Sequence, residues 1–445
     1  MRGIAFCLLF LSSLPLIFVS PFYGVLIWYV FSLGNFHTLT WGYLDNLYYA
    51  YIIVILTCVS WMISPRDKKQ LPLTPLVVLT LVFSLWMTLT SCFALAPAWD
   101  VWDRWVLVHK ILFMGLIGYA LTTTRERVNQ LIWVVVLAIG IWGVKGAISV
   151  ILHGGTTLGI HGPEGGVMQD NNGFGLALVM IMPLLFYQWH TAANRRLRQC
   201  LMVMGFLVSL AIVFTYSRGA LVGLCAMGAV FWLRSRAKLA TGALIVVVAL
   251  SVYSFVPQQW FDRMATIETY DQDRSAMSRI EIWQVSLRIA ELHPILGGGF
   301  RVTYWPALTN SMLEGTLIPR LDKPRAAHSI WFEVLSEQGW VGLALFVAIA
   351  GYSLFGCSWL IRNTRDRPDL AWANLLGRLG QSVLVGFWAA GTFASLAYFD
   401  EYWCVVFIFD AARRIVKREL TTPVRAFRAA PAVGLAHPGT DAAVS

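Results

Sequence analysis

Apolar runs long enough to cross a bilayer recur along the whole chain, and that recurrence limits the fold more than any other feature of the sequence. They fall at about 5–34, 45–64, 75–96, 104–122, 130–152, 173–190, 200–216, 218–233, 239–255, 340–361, 376–395 and 398–415. Pro21 interrupts the first, which reads as one long span or two, and the last is short enough to be a surface helix. Of the 445 residues 58% are hydrophobic and only 13% charged, more apolar surface than a soluble fold of this length hides, so part of it must face lipid. The 20 tryptophans suit side chains that anchor helices at membrane–water interfaces. The expectation is an all-α polytopic membrane protein with about twelve transmembrane helices. Arg2 and the apolar run to Val19 look like a signal peptide, but no small-x-small cleavage site follows, so this run is read as an uncleaved first span.

The short loops sort by charge. Arg66, Lys68 and Lys69 share one; Arg125 and Arg127 another; Arg195, Arg196 and Arg198 a third; Arg234, Arg236 and Lys238 a fourth; Arg362, Arg365 and Arg367 a fifth. Arg413, Arg414, Lys417 and Arg418 follow the last run. Short basic loops face the cytoplasm, and about twelve spans put all of them and both termini on that side. The net charge of +10 is therefore a topology signal, and no nucleic-acid partner is implied. The 7 cysteines show no metal-ligand spacing and no disulfide framework.

Three stretches then fall outside: about 153–172, the tight connection Tyr216-Ser217-Arg218-Gly219, and a long charge-balanced segment from Pro257 to His328. The chain divides into N-terminal transmembrane helices (1–256), an outer loop with amphipathic helices (257–339), C-terminal transmembrane helices (340–416) and a disordered cytoplasmic tail (417–445). Within the loop, Ser278 and Glu281 have capping-box spacing and Ile282, Val285 and Ile289 form a helical stripe. A helix over about 278–292 follows, with Arg279 at its first position, where the helix N-terminus also favours an anion. A second helix over about 326–338 carries His328 in its first turn and stops at Gly339.

These residues suggest chemistry on a sugar diphosphate. Arginines grip phosphate oxygens in pairs of hydrogen bonds, and a histidine takes a proton from a hydroxyl near neutral pH. Each residue also has a plain structural reading. Arg218 serves equally as an interface anchor; Arg279 as a solvated helix-start residue; His328 as a helix cap. Asp271 and Asp273 look like the metal-binding pair of soluble nucleotide-sugar transferases, but a solvated turn is preferred, so no metal site is assigned. Lys110 reads as an interface lysine and Lys145 as one lining a cavity in the outer half of its span. Asp170-Asn171-Asn172 reads as a helix cap or a sugar-binding group, and Arg325 as a further cation beside His328.

The chain resembles the O-antigen ligase and O-antigen polymerase superfamily of bacterial membrane glycosyltransferases. The matching pieces are Ser217-Arg218-Gly219, Arg279-x-x-x-Trp283 leading to Pro294 and Gly297-Gly298-Gly299, and His328 with Glu333 and Gly339-x-x-Gly342. Val144-Lys145-Gly146, Gly162-Pro163, Asp170-Asn171-Asn172 and Pro183-Leu184-Leu185 are similar to the branch of exosortase-associated O-glycosylation ligases. The resemblance implies a GT-C-type membrane fold in the bacterial inner membrane, with its active site facing the periplasm. It implies inverting transfer of a glycan from undecaprenyl diphosphate without metal or cofactor. His328, Arg279 and Arg218 would be catalytic, and Arg218, Arg279, Lys145, Arg325, Asn171 and Asn172 would bind substrate. The acceptor taken is lipid A–core oligosaccharide; polymerases add to another lipid-linked repeat, and related enzymes to protein hydroxyls. A transporter of lipid-linked glycan is the reading from another class, but it places charges mid-span and often shows paired repeats, whereas the polar groups here cluster on one face. The topology has a direct check. In a cysteine-free background, a cysteine at Gln258 is expected to react with a membrane-impermeant thiol reagent once the outer membrane is permeabilised. Protection until the inner membrane is lysed overturns the assignment.

Overall fold

The computed structural model describes residues 2–39, 48–65, 67, 70–153, 159–254, 256, 258, 260 and 274–421. Arg66, Lys68, Lys69, Asp271, Asp273 and the expected disordered tail beyond Thr421 lie outside the described residues. The described residues form helices joined by turns and short 3-10 segments. In chain order these are α1 (Arg2–Val19), α2 (Pro21–Gly34), α3 (Tyr49–Ile63), α4 (Pro75–Cys92), α5 (Ala98–Leu121), α6 (Arg125–Leu152), α7 (Asn171–Thr191) and α8 (Arg195–Phe214). They continue with α9 (Arg218–Arg234), α10 (Lys238–Tyr253), α11 (Arg274–Leu292), α12 (Pro306–Met312), α13 (Ile330–Asn363), α14 (Ala371–Gly391) and α15 (Asp400–Thr421).

The helices follow the apolar runs closely. The first run is two helices, broken at Ser20, whose extended backbone and hydroxyl cap α2 with Pro21 at its first position. Six helices, α4 to α8 and α13, are long and apolar enough to cross a membrane by length and composition; stretches in α1, α2, α3 and α10 are apolar over shorter lengths. Six is fewer than the twelve expected for physical reasons. Several runs are short, and α14 and α15 carry polar groups such as Asn374, Gln381, Asp400, Glu401 and Asp410. Those groups do not put α15 on the surface. Every residue from Asp400 to Ala412 is buried, and the helix packs against α5, α6, α13 and α14. The centre of the bundle is α7, α14 and α15, with α9 and α13 against α14.

The two ends of the bundle differ. At one end Asp410 accepts hydrogen bonds from Thr74 (2.9 Å) and Tyr119 (2.8 Å), Arg414 donates to the carbonyls of Tyr119 and Thr122, and Arg127 pairs with Asp67 at 2.8 Å. At the other end the long insert folds down on the helices. Ile282, Val285 and Ile289 are buried, as the stripe predicts, and with Val302, Leu313 and Leu321 they make the insert's own small core.

The insert is joined to α13 through backbone groups. Gly339 has φ 68° and ψ −172°, a conformation open to glycine alone, and it kinks α13. The kink frees the carbonyls of the preceding turn, and buried carbonyls need donors. Gly298 N–H donates to Ser336 (2.8 Å), Gly299 N–H to Glu337 (2.9 Å) and the Trp86 indole to Gln338 (2.9 Å). Gly339 thus ends a first helical stretch of α13, as the sequence suggested, and a second stretch starts directly beyond it at a new angle. The triple glycine fits because a Cβ on Gly297 would meet the Gly339 nitrogen at 2.5 Å. Replacing Gly339 with Ala would put a Cβ 2.2 Å from the Ile295 carbonyl oxygen and adds about 1–3 kcal/mol of backbone strain. Gly339→Ala is expected to lower the melting temperature of the purified protein clearly. Gly351→Ala, whose Cβ meets nothing within 4 Å in the same helix, is expected to leave it unchanged or raise it. Equal melting of the two variants would refute the role given to the kink.

Candidate functional site

The site forms where the N-termini of α7 and α9 meet the turn before α13. Asp170 caps α7, its carboxylate accepting from the N–H groups of Asn172 (2.8 Å) and Gly173 (3.1 Å). Ser217 caps α9 by accepting from Ala220 at 3.1 Å, and its hydroxyl donates to the Asn172 side chain at 2.8 Å. Asn171 donates to the Thr215 carbonyl at 2.9 Å. Arg218 is thus the first residue of α9, bound through Ser217 to the start of α7. Small residues permit the approach: a Cβ on Gly175 would meet that of Ala220 at 2.6 Å, and one on Gly219 that of Phe393 at 2.9 Å. Both helices direct the positive ends of their dipoles here, which favours an anion.

His328 stands beside this junction. It does not lie in the first turn of a helix, as the sequence suggested; α13 begins at Ile330 with Ser329 as its cap. His328 has φ 48°, and its backbone N–H donates to the Ser395 hydroxyl at 2.7 Å. A left-handed backbone is costly for an L-residue and marks a turn held by its surroundings. The Arg279 guanidinium and the Asp170 carboxylate both act on its imidazole. Arg279 reaches it from the interior of α11. That helix begins at Arg274, so Arg279 is not at a helix N-terminus and the anion-site argument built on that position does not hold. One turn later in the same helix, the Trp283 indole donates to the Ala327 carbonyl at 3.0 Å and stacks on Phe332 at 5.2 Å. His328, Arg279, Arg218, Asn171 and Asn172 are all partly buried, each keeping some surface exposed.

The other candidates have different surroundings. Arg325 pairs with Glu281 and Asp322, each at 2.7 Å, and braces α11 against the loop before His328. Lys145 is exposed with its ammonium over the Trp142 ring, 4.8 Å from the centroid, and Trp142 is bonded to the Gly34 carbonyl on α2. The amides of Asn171 and Asn172 are engaged in the ties to Thr215 and Ser217. Among the described residues no group of three or more His, Cys, Asp or Glu has the geometry to hold a metal ion.

A buried polar cluster behind His328 escaped the sequence reading. Arg104 on α5 pairs with Glu333 at 3.6 Å and lies over the Tyr398 ring. The second carboxylate oxygen of Glu333 accepts from the Ala397 N–H at 3.0 Å, and Glu337 accepts from the Arg301 N–H at 2.9 Å. Asp100 holds Arg301 and the Trp305 indole, each at 3.0 Å. The available signal was the charged run Asp100, Asp103, Arg104 at the start of an otherwise apolar run, on the side that the expected topology puts outside, where the positive-inside rule gives no reason for a cation.

Partial burial holds the His328 imidazole below its usual range; the Arg279 charge lowers it further and Asp170 acts the other way. The ring is therefore neutral, and able to accept a proton, at and somewhat below neutral pH. If it acts as a base, the acid limb of the pH–rate profile falls below the ordinary histidine value of about 6.5. Arg279→Gln is expected to move that limb up and Asp170→Asn, which keeps a helix cap, to move it down. Limbs that stay together in the two variants would exclude His328 as the titrating group.

Two family models match the chain. That described as O-antigen ligase matches residues 203–347, and that described as a family of unknown function (DUF5935) matches residues 1–193. No curated protein matches. The first match bears out the resemblance drawn from the motifs and spans Arg218, Arg279 and His328.

Proposed function

We propose that this chain, tied by its family match to the O-antigen ligase and polymerase superfamily of glycosyltransferase-like membrane enzymes, is an O-antigen ligase. It transfers a glycan from undecaprenyl diphosphate to a hydroxyl of lipid A–core oligosaccharide. In this reading the protein is GT-C-like, crosses the bacterial inner membrane about twelve times and carries its site on the periplasmic face. The observation that supports it best is the placing of a neutral-leaning His328 beside Arg279 and next to the joined N-termini of α7 and α9, where Arg218 starts.

The chemistry follows from those groups. Arg218 and Arg279 hold the diphosphate and stabilise it more as its negative charge grows during departure. His328 takes the proton from the acceptor hydroxyl as oxygen attacks the anomeric carbon from the face opposite the diphosphate, so configuration inverts. The leaving diphosphate needs no divalent cation, because the two guanidinium groups and the helix dipoles supply the positive charge. Glu333 is not the base: it is buried between Arg104 and the Ala397 N–H.

Detergent-purified protein, labelled lipid-linked glycan and lipid A–core test this directly. Transfer with release of undecaprenyl diphosphate is the expected result, and a transporter gives none. His328→Ala is expected to lower transfer about 10²–10⁴-fold while donor still binds. Arg218→Lys and Arg279→Lys are expected to lose much of the about 2.7–4 kcal/mol that such a charge-stabilising donor supplies, since an ammonium cannot reproduce the guanidinium fork. Near-normal transfer by well-folded His328→Ala excludes the histidine mechanism.

A further inference from the structure

The loop between α14 and α15, residues 392–399, belongs to no motif, yet it touches each part of the site. Thr392 accepts from the Trp331 indole at 3.1 Å. Phe393 closes on Gly219, next to Arg218, and lies 6.3 Å from the Trp283 ring, one turn from Arg279 on α11. Ser395 accepts the backbone N–H of His328 at 2.7 Å. Two residues on, the Ala397 N–H is fixed by Glu333, which Arg104 holds from α5.

We propose that Ser395 is a positioning residue for His328: its hydroxyl holds the left-handed turn that aims the imidazole, and the Arg104–Glu333–Ala397 chain keeps Ser395 in register. The proposal rests on the reading of His328 as the base. A histidine at φ 48° relaxes to an extended or helical backbone unless something retains it. The hydrogen bond from its own N–H to Ser395 is the described contact that does so. A change of φ there swings the side chain, and a misplacement of about 1 Å in a reacting group can cost on the order of 10²-fold in rate. Glu333 is suited to anchor the loop, because one carboxylate oxygen meets Arg104 and the other meets the loop backbone, and the side chain is buried.

The test uses full-length purified protein and the transfer assay. Ser395→Ala is expected to lower kcat about 10–100-fold with little change in the KM for lipid-linked donor, because Arg218 and Arg279 are untouched. Ser395→Thr, which keeps the hydroxyl, is expected to recover most of the loss. Placed on His328→Ala, Ser395→Ala is expected to cost nothing more. Each variant is first checked for a single elution peak and an unchanged melting temperature. Wild-type kcat in Ser395→Ala overturns the proposal. So does the same fold-loss in the His328→Ala background as in the wild type, since Ser395 then acts elsewhere. Near-normal transfer by His328→Ala alone is a separate result: it removes the base reading, and the positioning role with it.

Discussion

A helix bent out of line inside a membrane protein leaves carbonyls that water cannot reach, and the fold depends on how this chain satisfies them. The kink at Gly339 exposes the carbonyls of Ser336, Glu337 and Gln338, and the donors are brought by Gly298, Gly299 and Trp86. Each such group left unpaired in a low-dielectric setting costs about 1–3 kcal/mol. Two of the bonds, from Gly298 and Gly299, tie the insert to α13, and the third, from Trp86, ties α4 to the same turn. From Trp340 onward α13 extends about 36 Å at 1.5 Å per residue, enough to cross the hydrocarbon. The kink therefore sits at the head of a stretch long and apolar enough to cross a membrane, and the turn carrying His328 is fixed to that head.

Charge is buried behind that turn at real cost. Arg104, Glu333 and Glu337 are held in the interior between α5, α13 and the loop before α15. A buried pair often contributes little net stability, yet removing one partner costs about 3–5 kcal/mol because the other is stranded. The arrangement is better understood as fixing geometry. Glu333 and Glu337 each give one carboxylate oxygen to a backbone N–H, of Ala397 and Arg301, so the two loop segments that carry them are located by side chains of a helix.

What the sequence showed and what it hid divide along one physical line. Helix positions were legible because they depend on local composition: Ser20 and Pro21 split the first run, and the stripe Ile282, Val285, Ile289 is buried. Arg218, Arg279 and His328 were legible as residue types expected on one face, though not in their local settings. Ser278 and Glu281 mimic a capping box, but α11 starts four residues earlier, and His328 lies outside α13 because its turn is held by Ser395, 67 positions away. The burial of α15 was hidden for the same reason. Asp410 pairs with groups far off in the chain, Thr74 and Tyr119, and no local pattern records that.

The frame around His328 contrasts with the tip of the insert. From Glu314 to Arg320 most side chains are exposed, Leu317 fully, and the described bonds are local ones such as Thr316 to Leu313. Apart from Ile318, which packs on the insert's own core, substitutions there strand no buried group among the described contacts. The molecule thus joins a part in which almost any change is penalised to one in which change is nearly free. Under selection for a new surface or a new recognition partner, variation would accumulate at that tip while the junction of α7, α9 and α13 stayed as it is.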